Sequence, residues 1–441
     1  MAPKILLVNP PIYDFAAYDF WLKPYGLLSV AGCLRGKADF KLFDYLDRLH
    51  PFTAKQKDLA SDRWGRGRFY HEVIANPACL QAIPRYFRRF GLPRSLFADF
   101  VAQESPFDFA LVQTTMTYWY LGVQEVIQDI RRISPQTKII LGGNYVTLCG
   151  NHAKRLRADL LVPGTNLEPL WKYLEIEPDL RQPAFWEAYD KLNVGVLKLS
   201  DGCPFSCTYC SVPHLYGKFK PRPLQRSLAE LELLANCGVQ NIAFYDDALL
   251  FEPEKVLVPF LNELIRRGIE VNPPSAWRIN LHSPNALNAR FVTQDSANLM
   301  VRAGFKTFYL GFESCSLEWQ KRTGSKVSSQ ELQRAVELLL SAGAEASNIT
   351  AYQMLAHPHG DTAELEASMR FVKSLGIRGM LADFSPIPGT PDGEYCRKWV
   401  DMDEPLMHNK TAFPIILLGF DESNRLKDLQ RKLNRELSAK R

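Results

Sequence analysis

From residue 194 to residue 386 the sequence alternates six times between a short apolar segment and an amphipathic helical segment. The predicted strands are Val194–Ser200, Asn241–Asp247, Pro274–Asn280, Thr307–Ser314, Asn348–Ala356 and Gly379–Pro386. Strands that alternate with helices run parallel, because each helix returns the chain to the same end of the sheet. The pattern predicts a partial (β/α)6 barrel, with functional residues at the carboxyl ends of its strands.

Three cysteines lie on the loop after the first of these strands. Cys203, Cys207 and Cys210 have the spacing C-x3-C-x2-C. Three thiolates at this spacing can hold three irons of a cubane cluster and leave the fourth open, whereas electron-transfer clusters close every position. A zinc site completed by His214 is the alternative, although structural zinc sites usually pair two C-x2-C arms.

The other cysteines and the apolar runs bear on the compartment. The total of nine cysteines is odd and the other six are scattered, which argues against a disulfide framework. Residues 1–8 hold too few apolar side chains for a secretory segment, and Phe413–Phe420 is too short an apolar run to cross a membrane. We expect a reducing, cytoplasmic compartment and no membrane partner.

The N-terminal segment shows a second alternation of strands and helices. Its predicted strands are Lys4–Val8, Phe40–Asp44, Phe107–Gln113, Lys138–Gly143 and Arg157–Val162. They predict a doubly wound, Rossmann-like parallel sheet, whose ligands bind beyond the carboxyl ends of the strands. Residues at such ends are Asn9, Pro10, Asp44, Thr114, Thr115, Gly142, Gly143 and Gly164. The glycine pair would let the backbone approach a bulky ligand closely.

An arginine-rich insertion at about 48–105 interrupts this alternation. Residues 61–95 carry seven arginines interleaved with six aromatic side chains, while the whole chain has a mild net charge of +5. An RNA-binding surface is one interpretation. We favour a solvated helix face or a cap over a negatively charged cofactor, and we do not expect a nucleic-acid partner.

Composition divides the chain into four predicted segments: a sheet domain at 1–175, a linker at 176–192, the barrel at 193–395 and a C-terminal extension at 396–441. In the extension, one apolar stripe at helical spacing consists of Leu426, Leu429, Leu433 and Leu437. We predict a helix that packs on the barrel.

The cysteine segment resembles the signature of the radical S-adenosylmethionine (SAM) superfamily, including Gly202 and Pro204 around the first cysteine and Tyr209 before the last. The form is that of members with an N-terminal cobalamin (B12)-binding domain. The resemblance implies a [4Fe-4S] cluster on the three cysteines, with SAM on the open iron, cleaved to a 5'-deoxyadenosyl radical. Asn9-Pro10-Pro11 and the glycine pair resemble the cobalamin domain, although D-x-H-x-x-G is absent, as in many members.

The resemblance also implies cofactor contacts at the strand ends. Phe244–Asp247 resembles F-x-D-D, so Asp246 and Asp247 would meet the SAM amino group. Further contacts would come from Tyr209, Arg278, Asn280, Glu313 and Ser314, the last two within G-x-E-S. His357-Pro-His-Gly-Asp-Thr362 departs from the usual G-x-P-G-E-T, which makes His357 and His359 either acid-base groups or part of a polar turn.

Together these features predict a cobalamin-dependent radical SAM enzyme, a methyltransferase acting on an unactivated carbon of a small molecule. The implied electron donor is a flavodoxin or ferredoxin. One alternative is a radical cyclisation, rearrangement or oxidation without methyl transfer. The other is a non-enzymatic, zinc-stabilised RNA-binding protein that uses the arginine-rich insertion.

Overall fold

The computed structural model describes residues 2–267, 279–324 and 326–439. The chain divides into two compact units. The N-terminal unit comprises Met1–Asn193, Glu232–Gly238 and Asp401–Asn409, and the barrel unit comprises Val194–Leu231, Val239–Val400 and Lys410–Arg441. Within the described ranges, no helix combines the length and the apolar character that crossing a bilayer requires.

The N-terminal unit is built on a five-stranded parallel sheet. The strands of the whole unit, in the main sheet and in smaller ones, are β1 (Lys4–Asn9), β2 (Ile12–Asp14), β3 (Tyr18–Asp19), β4 (Asp39–Asp44), β5 (Gly67–Arg68), β6 (His71–Ile74), β7 (Phe87–Phe90), β8 (Phe109–Thr114), β9 (Lys138–Gly143) and β10 (Leu160–Val162). Its helices are α1 (Tyr25–Cys33), α2 (Pro51–Ala54), α3 (Arg94–Glu104), α4 (Tyr120–Ile133), α5 (Asn144–Leu148), α6 (Gly150–Ala153) and α7 (Glu168–Leu174).

The order of the main sheet is β10-β9-β8-β1-β4, and the predicted parallel pairing is confirmed. In chain order this is a 2-1-3-4-5 sheet, because β4 lies on one side of β1 and β8 on the other. The direction of winding reverses between β1 and β8, and ligands of such sheets bind at that switch point. Residues 5–8 of β1 are fully buried, as expected for a strand covered on both faces.

Residues 176–192, predicted as a linker, pack against α1. A Cβ on Gly32 would lie 2.1 Å from the carbonyl oxygen of Pro183, so only glycine permits this approach. Arg35 donates hydrogen bonds to the carbonyl oxygens of Pro183 and Ala184, both at 3.2 Å. Trp186 is fully buried. These residues therefore form part of the N-terminal unit's packed structure.

The arginine-rich insertion forms short strands, 3-10 turns and the helices α2 and α3, and several of its arginines bind carboxylates of the same unit. Arg89 of β7 forms a bidentate ion pair with Glu125 of α4, with nitrogen–oxygen distances of 2.7 and 2.9 Å. Arg94 pairs with Asp129 on the same helix, at 2.7 Å. The predicted solvated helix face is wrong for Arg89, which is 4% exposed. Because both arginines are paired with carboxylates, their charges do not support the interpretation of the insertion as an RNA-binding surface.

We expect Arg89→Met to destabilise the fold by about 3–5 kcal/mol, because it leaves Glu125 charged and buried without its partner. Urea denaturation monitored by far-UV circular dichroism measures this loss. The double variant Arg89→Met, Glu125→Met is the control, and it should cost less than the single change. An unchanged midpoint for Arg89→Met would contradict a buried ion pair.

The barrel unit contains a six-stranded parallel sheet of order β11-β14-β15-β16-β17-β18. Its strands are β11 (Val194–Leu197), β12 (Ser200–Asp201), β13 (Lys220–Pro221), β14 (Asn241–Phe244), β15 (Asn280–Asn288), β16 (Phe305–Glu313), β17 (Ile349–Leu355) and β18 (Arg378–Asp383). Its helices are α8 (Val212–Tyr216), α9 (Leu224–Asn236), α10 (Leu257–Arg266), α11 (Gln294–Arg302), α12 (Leu317–Thr323), α13 (Ser329–Ser341), α14 (Thr362–Ser374), α15 (Pro391–Tyr395), α16 (Ala412–Leu418) and α17 (Phe420–Ser438). The predicted fold class is confirmed.

The third barrel strand differs from its prediction. Asn280 begins β15 instead of ending it, and its side chain donates to Asn241 at the start of β14, at 3.2 Å. Asn280 therefore lies at the amino end of the sheet, away from the cysteine loop. The segment around Pro284 is polar and was not predicted as a strand. The strand accommodates it through a register shift between Ser283 and Leu287. Arg278 lies outside the described residues.

The predicted C-terminal helix is α17, and it packs on the barrel as expected. Leu426 and Leu433 are buried in a cluster with Leu355 and Met369. Asn434 bonds to the backbone of Gly379 in β18 through both side-chain atoms, accepting from its N–H at 3.0 Å and donating to its carbonyl oxygen at 2.9 Å.

Candidate active site

The cysteine loop begins where β11 ends, and Asp246 fixes its first residues. The Asp246 carboxylate accepts hydrogen bonds from the N–H of Leu199 at 3.0 Å and from the N–H and hydroxyl of Ser200, both at 2.6 Å. Burial raises the pKa of Asp246 above its ordinary value, although these donors oppose the shift. The carboxylate therefore holds the start of the loop.

A two-strand hairpin, β12 with β13, holds the first half of the loop. Asp201 pairs with two nitrogens of Arg222, each at 2.8 Å. Gly202 adopts φ of 71°, and a Cβ there would lie 2.5 Å from the carbonyl oxygen of Lys218. The glycine before the first cysteine is thus required by the close approach of the chain to itself.

The thiols of Cys203, Cys207 and Cys210 are partly buried and interact electrostatically with one another. Burial raises the pKa of all three, that of Cys210 to about 11. Gly324, with φ of 114°, brings its backbone against Cys207, since a Cβ there would lie 3.4 Å from the Cys207 Cα. Across the described ranges, no three His, Cys, Asp or Glu side chains converge closely enough to hold one metal ion between them.

Tyr209, between the last two cysteines, is held by aromatic contacts. Its ring stacks on Trp319 with 6.0 Å between centroids, and its hydroxyl donates to the sulfur of Cys207. Burial raises the pKa of Tyr209 well above its ordinary value, so the hydroxyl remains a donor. In this structure the Tyr209 hydroxyl therefore has a thiol of the loop as its hydrogen-bond partner.

A lysine that the sequence analysis missed lies beside the thiols. Lys326 Nζ is 3.4 Å from Oε1 of Glu313, the last residue of β16. Burial alone would lower the pKa of Lys326, but Glu313, Cys207 and Cys210 raise it, so the ammonium persists. Glu313 has φ of 67°, a strained conformation for a non-glycine residue. No local pattern marks Lys326, which follows a turn and not a strand.

Asp247 provides an uncommitted carboxylate near the loop. Its Oδ2 atom is buried and accepts no hydrogen bond from the described residues, and Lys198 Nζ lies 4.0 Å away, at the outer limit of an ion pair. Burial, together with Asp246 and Asp201, raises the pKa of Asp247 to about 6 against the opposing effect of Lys198. Such an oxygen is suited to accept from a cationic ligand.

Two asparagines on β15 were also missed, because the predicted strand ended at residue 280. Asn285 donates to the carbonyl oxygens of Tyr245 and Asp246, at 3.1 and 3.3 Å. Asn288 accepts from the N–H of Arg290, while its Nδ2 is buried without an acceptor among the described residues. Its strand pairs at this position with Gly311 of β16, two residues before Glu313.

The N-terminal unit has a small, open cleft at the β1/β8 switch point. Three of the predicted residues line it, namely Asn9, Pro10 and Thr115. The remaining lining is mostly apolar and consists of Pro11, Ile12, Leu22, Lys23, Leu46, Gln113, Met116, Trp119 and Val123. The cleft thus combines apolar side chains with the polar groups of Asn9, Lys23, Gln113 and Thr115 at the edge where open sheets bind ligands.

The other predicted residues of this sheet edge bond within the chain. Asp44 is 5% exposed and accepts from the Asn9 side chain at 2.7 Å and from the Tyr189 hydroxyl at 2.6 Å. Thr114 donates to the carbonyl oxygen of Gly142 at 3.0 Å. A Cβ on Gly143 would lie 2.0 Å from the Thr114 carbonyl oxygen, so the close approach at Gly143 is to the chain itself.

The sequence from 197 to 372 matches the model of the Radical SAM superfamily. Residues 197–372 form a radical SAM domain. The match begins at the end of β11 and includes the three cysteines, Asp247, Glu313 and Lys326. The predicted family resemblance is confirmed.

Two curated relatives match parts of this chain at low identity. An uncharacterised methyltransferase of Pyrococcus horikoshii is 26% identical over 209 residues, which are 47% of this chain and 42% of that protein. The threonylcarbamoyladenosine tRNA methylthiotransferase of Thermotoga maritima is 25% identical over 289 residues, 61% of this chain and 64% of that protein. The chain thus spans less than two thirds of either relative.

A solved structure resembles the fold beyond the radical SAM domain. The radical SAM methyltransferase TsrM of Kitasatospora setae, with cobalamin and a [4Fe-4S] cluster bound, has a TM-score of 0.64 and 16% identity. The alignment covers 93% of this chain and 85% of TsrM. A second TsrM structure holds tryptophan and a SAM analogue, with a TM-score of 0.65.

Around the radical SAM domain's cysteines, the structure gathers Tyr209, Asp247, Glu313 and Lys326. Ser314 accepts from the N–H of Ser316 at 3.1 Å, which places its hydroxyl in a local turn. His357 is buried against Tyr209, at 6.0 Å between ring centroids. The turn at His357–Thr362 therefore packs against the cysteine loop.

Proposed function

We propose that the chain is a cobalamin-dependent radical SAM methyltransferase that acts on an unactivated carbon. The observation that carries the proposal is the placement of three thiols, a lysine–glutamate pair and a carboxylate oxygen that accepts no hydrogen bond from the described residues in one region of a radical SAM domain. When bound, the [4Fe-4S] cluster supplies the electron that cleaves SAM, and cobalamin supplies a cobalt suited to methyl transfer.

The chain's own residues would bind and orient the cofactors. Cys203, Cys207 and Cys210 would each hold one iron, because three soft sulfur ligands on one loop suit an iron–sulfur cluster. The free Oδ2 of Asp247 would accept from the SAM ammonium, and Lys326 would face the SAM carboxylate. Glu313 would both hold Lys326 and accept from the ribose hydroxyls.

The cleft of the N-terminal unit is our proposed cobalamin site. Its position at a switch point supports a bound cofactor, and its apolar lining suits the flat face of a corrin. No histidine lines the cleft among the described residues, so this site offers no imidazole ligand to cobalt. The relatives' names support the methyl-transfer chemistry, and we further propose a small-molecule substrate and a flavodoxin- or ferredoxin-type electron donor.

Anaerobic purification after expression with iron, sulfide and hydroxocobalamin tests the proposal. We expect about four irons and one cobalamin per chain, with S-adenosylhomocysteine as well as 5'-deoxyadenosine formed during turnover. Four irons without cobalamin would contradict the methyltransferase and favour a radical rearrangement or oxidation. A colourless protein that holds zinc would contradict the radical enzyme altogether.

A further inference from the structure

The turn at His357–Thr362 departs from the sequence usual at this place, and the structure gives the departure a physical setting. His357 Nε2 lies 2.9 Å from Oδ2 of Asp392, in a pair whose side chains are 1% and 6% exposed. The Nδ1 atom accepts from the Trp319 indole N–H at 3.1 Å and from the N–H of His359 at 3.2 Å. Because two N–H donors point at Nδ1, the ring proton lies on Nε2, which donates to Asp392.

Asp392 connects this histidine to the cysteine loop. Its Oδ2 accepts from the hydroxyl of Thr208 at 2.5 Å, and its backbone N–H donates to the carbonyl oxygen of Thr208 at 3.2 Å. Although burial opposes it, donation from His357 and Thr208 holds the pKa of Asp392 below its ordinary value, so the acceptor is a carboxylate. Hydrogen bonds to a carboxylate are stronger than neutral ones.

The contact with Asp392 bears directly on the cysteine loop because Thr208 lies between two of its cysteines. It lies next to Cys207 and two residues before Cys210, in the half of the loop that the β12–β13 hairpin does not hold. Its remaining backbone contact is weak, since its N–H reaches the carbonyl oxygen of Thr323 at 3.4 Å. Within this stretch the Cys210 N–H donates to the Cys207 carbonyl oxygen at 3.1 Å, and the hydroxyl bond of Thr208 to Asp392, at 2.5 Å, is the short contact that ties the stretch to the rest of the domain.

We propose that His357 and Asp392 are positioning residues, which set the spacing of Cys207 and Cys210 by clamping Thr208. His357 fixes the Asp392 carboxylate, and the carboxylate fixes Thr208. This inference rests on the proposed function, because it assumes a cluster on the three cysteines. A merely stabilising role would affect the fold as a whole, whereas the clamp affects how firmly the loop retains iron.

The test is the rate at which the anaerobically reconstituted holoprotein releases iron to the chelator bathophenanthroline. Thr208→Val removes the hydroxyl and keeps the shape, so we expect about tenfold faster release from the loss of one charge-assisted hydrogen bond. Thr208→Ser keeps the hydroxyl and should stay within about twofold of the unmodified chain. Ser206→Ala is the matched control, because it removes an exposed hydroxyl from the same loop.

A double-variant comparison separates the clamp from general stability. His357→Gln should accelerate release, and Thr208→Val combined with His357→Gln should be no faster than the faster single variant, because both act through Asp392. The clamp is overturned if the two accelerations of iron release multiply in the double variant, or if Thr208→Val releases iron at the rate of the unmodified chain. If the unmodified chain itself holds no iron–sulfur cluster, the proposed function fails and the clamp fails with it. Should His357→Gln not fold, the Thr208 pair decides the question alone.

Discussion

Replacing Cys207 with alanine is expected to abolish SAM cleavage, with 5'-deoxyadenosine falling by at least about a thousandfold to the background level. Cys207 lies between the other two cysteines and accepts from the Tyr209 hydroxyl, so its loss removes one of three iron ligands at the centre of the loop. Anaerobic chromatography of the nucleoside product, together with iron and sulfide analysis, measures the effect. Cleavage retained by this variant would refute the cluster assignment.

Cys237→Ala is the matched control for that experiment. Cys237 is also a partly buried free thiol, but it lies at the end of α9, far along the chain from the C-x3-C-x2-C segment. Iron content and SAM cleavage should equal those of the unmodified chain. A similar loss in both variants would point to a general effect of removing thiols.

Replacing Asp247 with asparagine is expected to weaken SAM binding and to stabilise the protein without ligand. The loss of a charge-assisted acceptor should raise the SAM Kd about 10–100-fold, measured by equilibrium dialysis of the holoprotein. The pKa of Asp247 is about 6 in the folded state, above its ordinary value of 3.8. Between these values the folded state binds more protons, so stability falls as pH rises from about 4 to 6.

Asparagine removes this pH-dependent penalty, and we expect a gain of up to about 3 kcal/mol in unfolding free energy at pH 7. Denaturation of the ligand-free variant at pH 4 and pH 7 measures it, and the gain should vanish at the lower pH. Asp246→Ala should instead destabilise the chain, because it leaves the Leu199 and Ser200 N–H groups unsatisfied. Loss of stability in Asp247→Asn would contradict an uncommitted carboxylate.

The strands of both sheets could be predicted because their apolar runs are long and bounded by turn residues. β15 could not, since Pro284 and its polar neighbours resemble a loop, and the strand depends on pairing with β14 and β16 that are distant in sequence. Asn285 and Asn288 were missed for the same reason. The position of the cysteine loop at the end of the first barrel strand, by contrast, could be predicted because its motif is local in sequence.

Electrostatic partners were the least predictable part of the site. Lys326 meets Glu313 and the cysteines only after a turn folds back, and no periodicity reports that approach. Asp246 and Asp247 are adjacent in sequence, yet one is saturated by backbone donors and the other keeps a free oxygen. Side-chain direction at the end of a strand decides between these two situations, and it is fixed by packing.

The pairing of Asn434 with both backbone groups of Gly379 has a consequence for solubility. A partial barrel leaves the outer edge of β18 free to pair with another chain, and exposed edges are templates for aggregation. The amide of Asn434 occupies the N–H and the carbonyl oxygen that an incoming strand would need, and α17 covers the edge around them. Removing α17 should therefore expose this edge of the sheet and cause the barrel to self-associate.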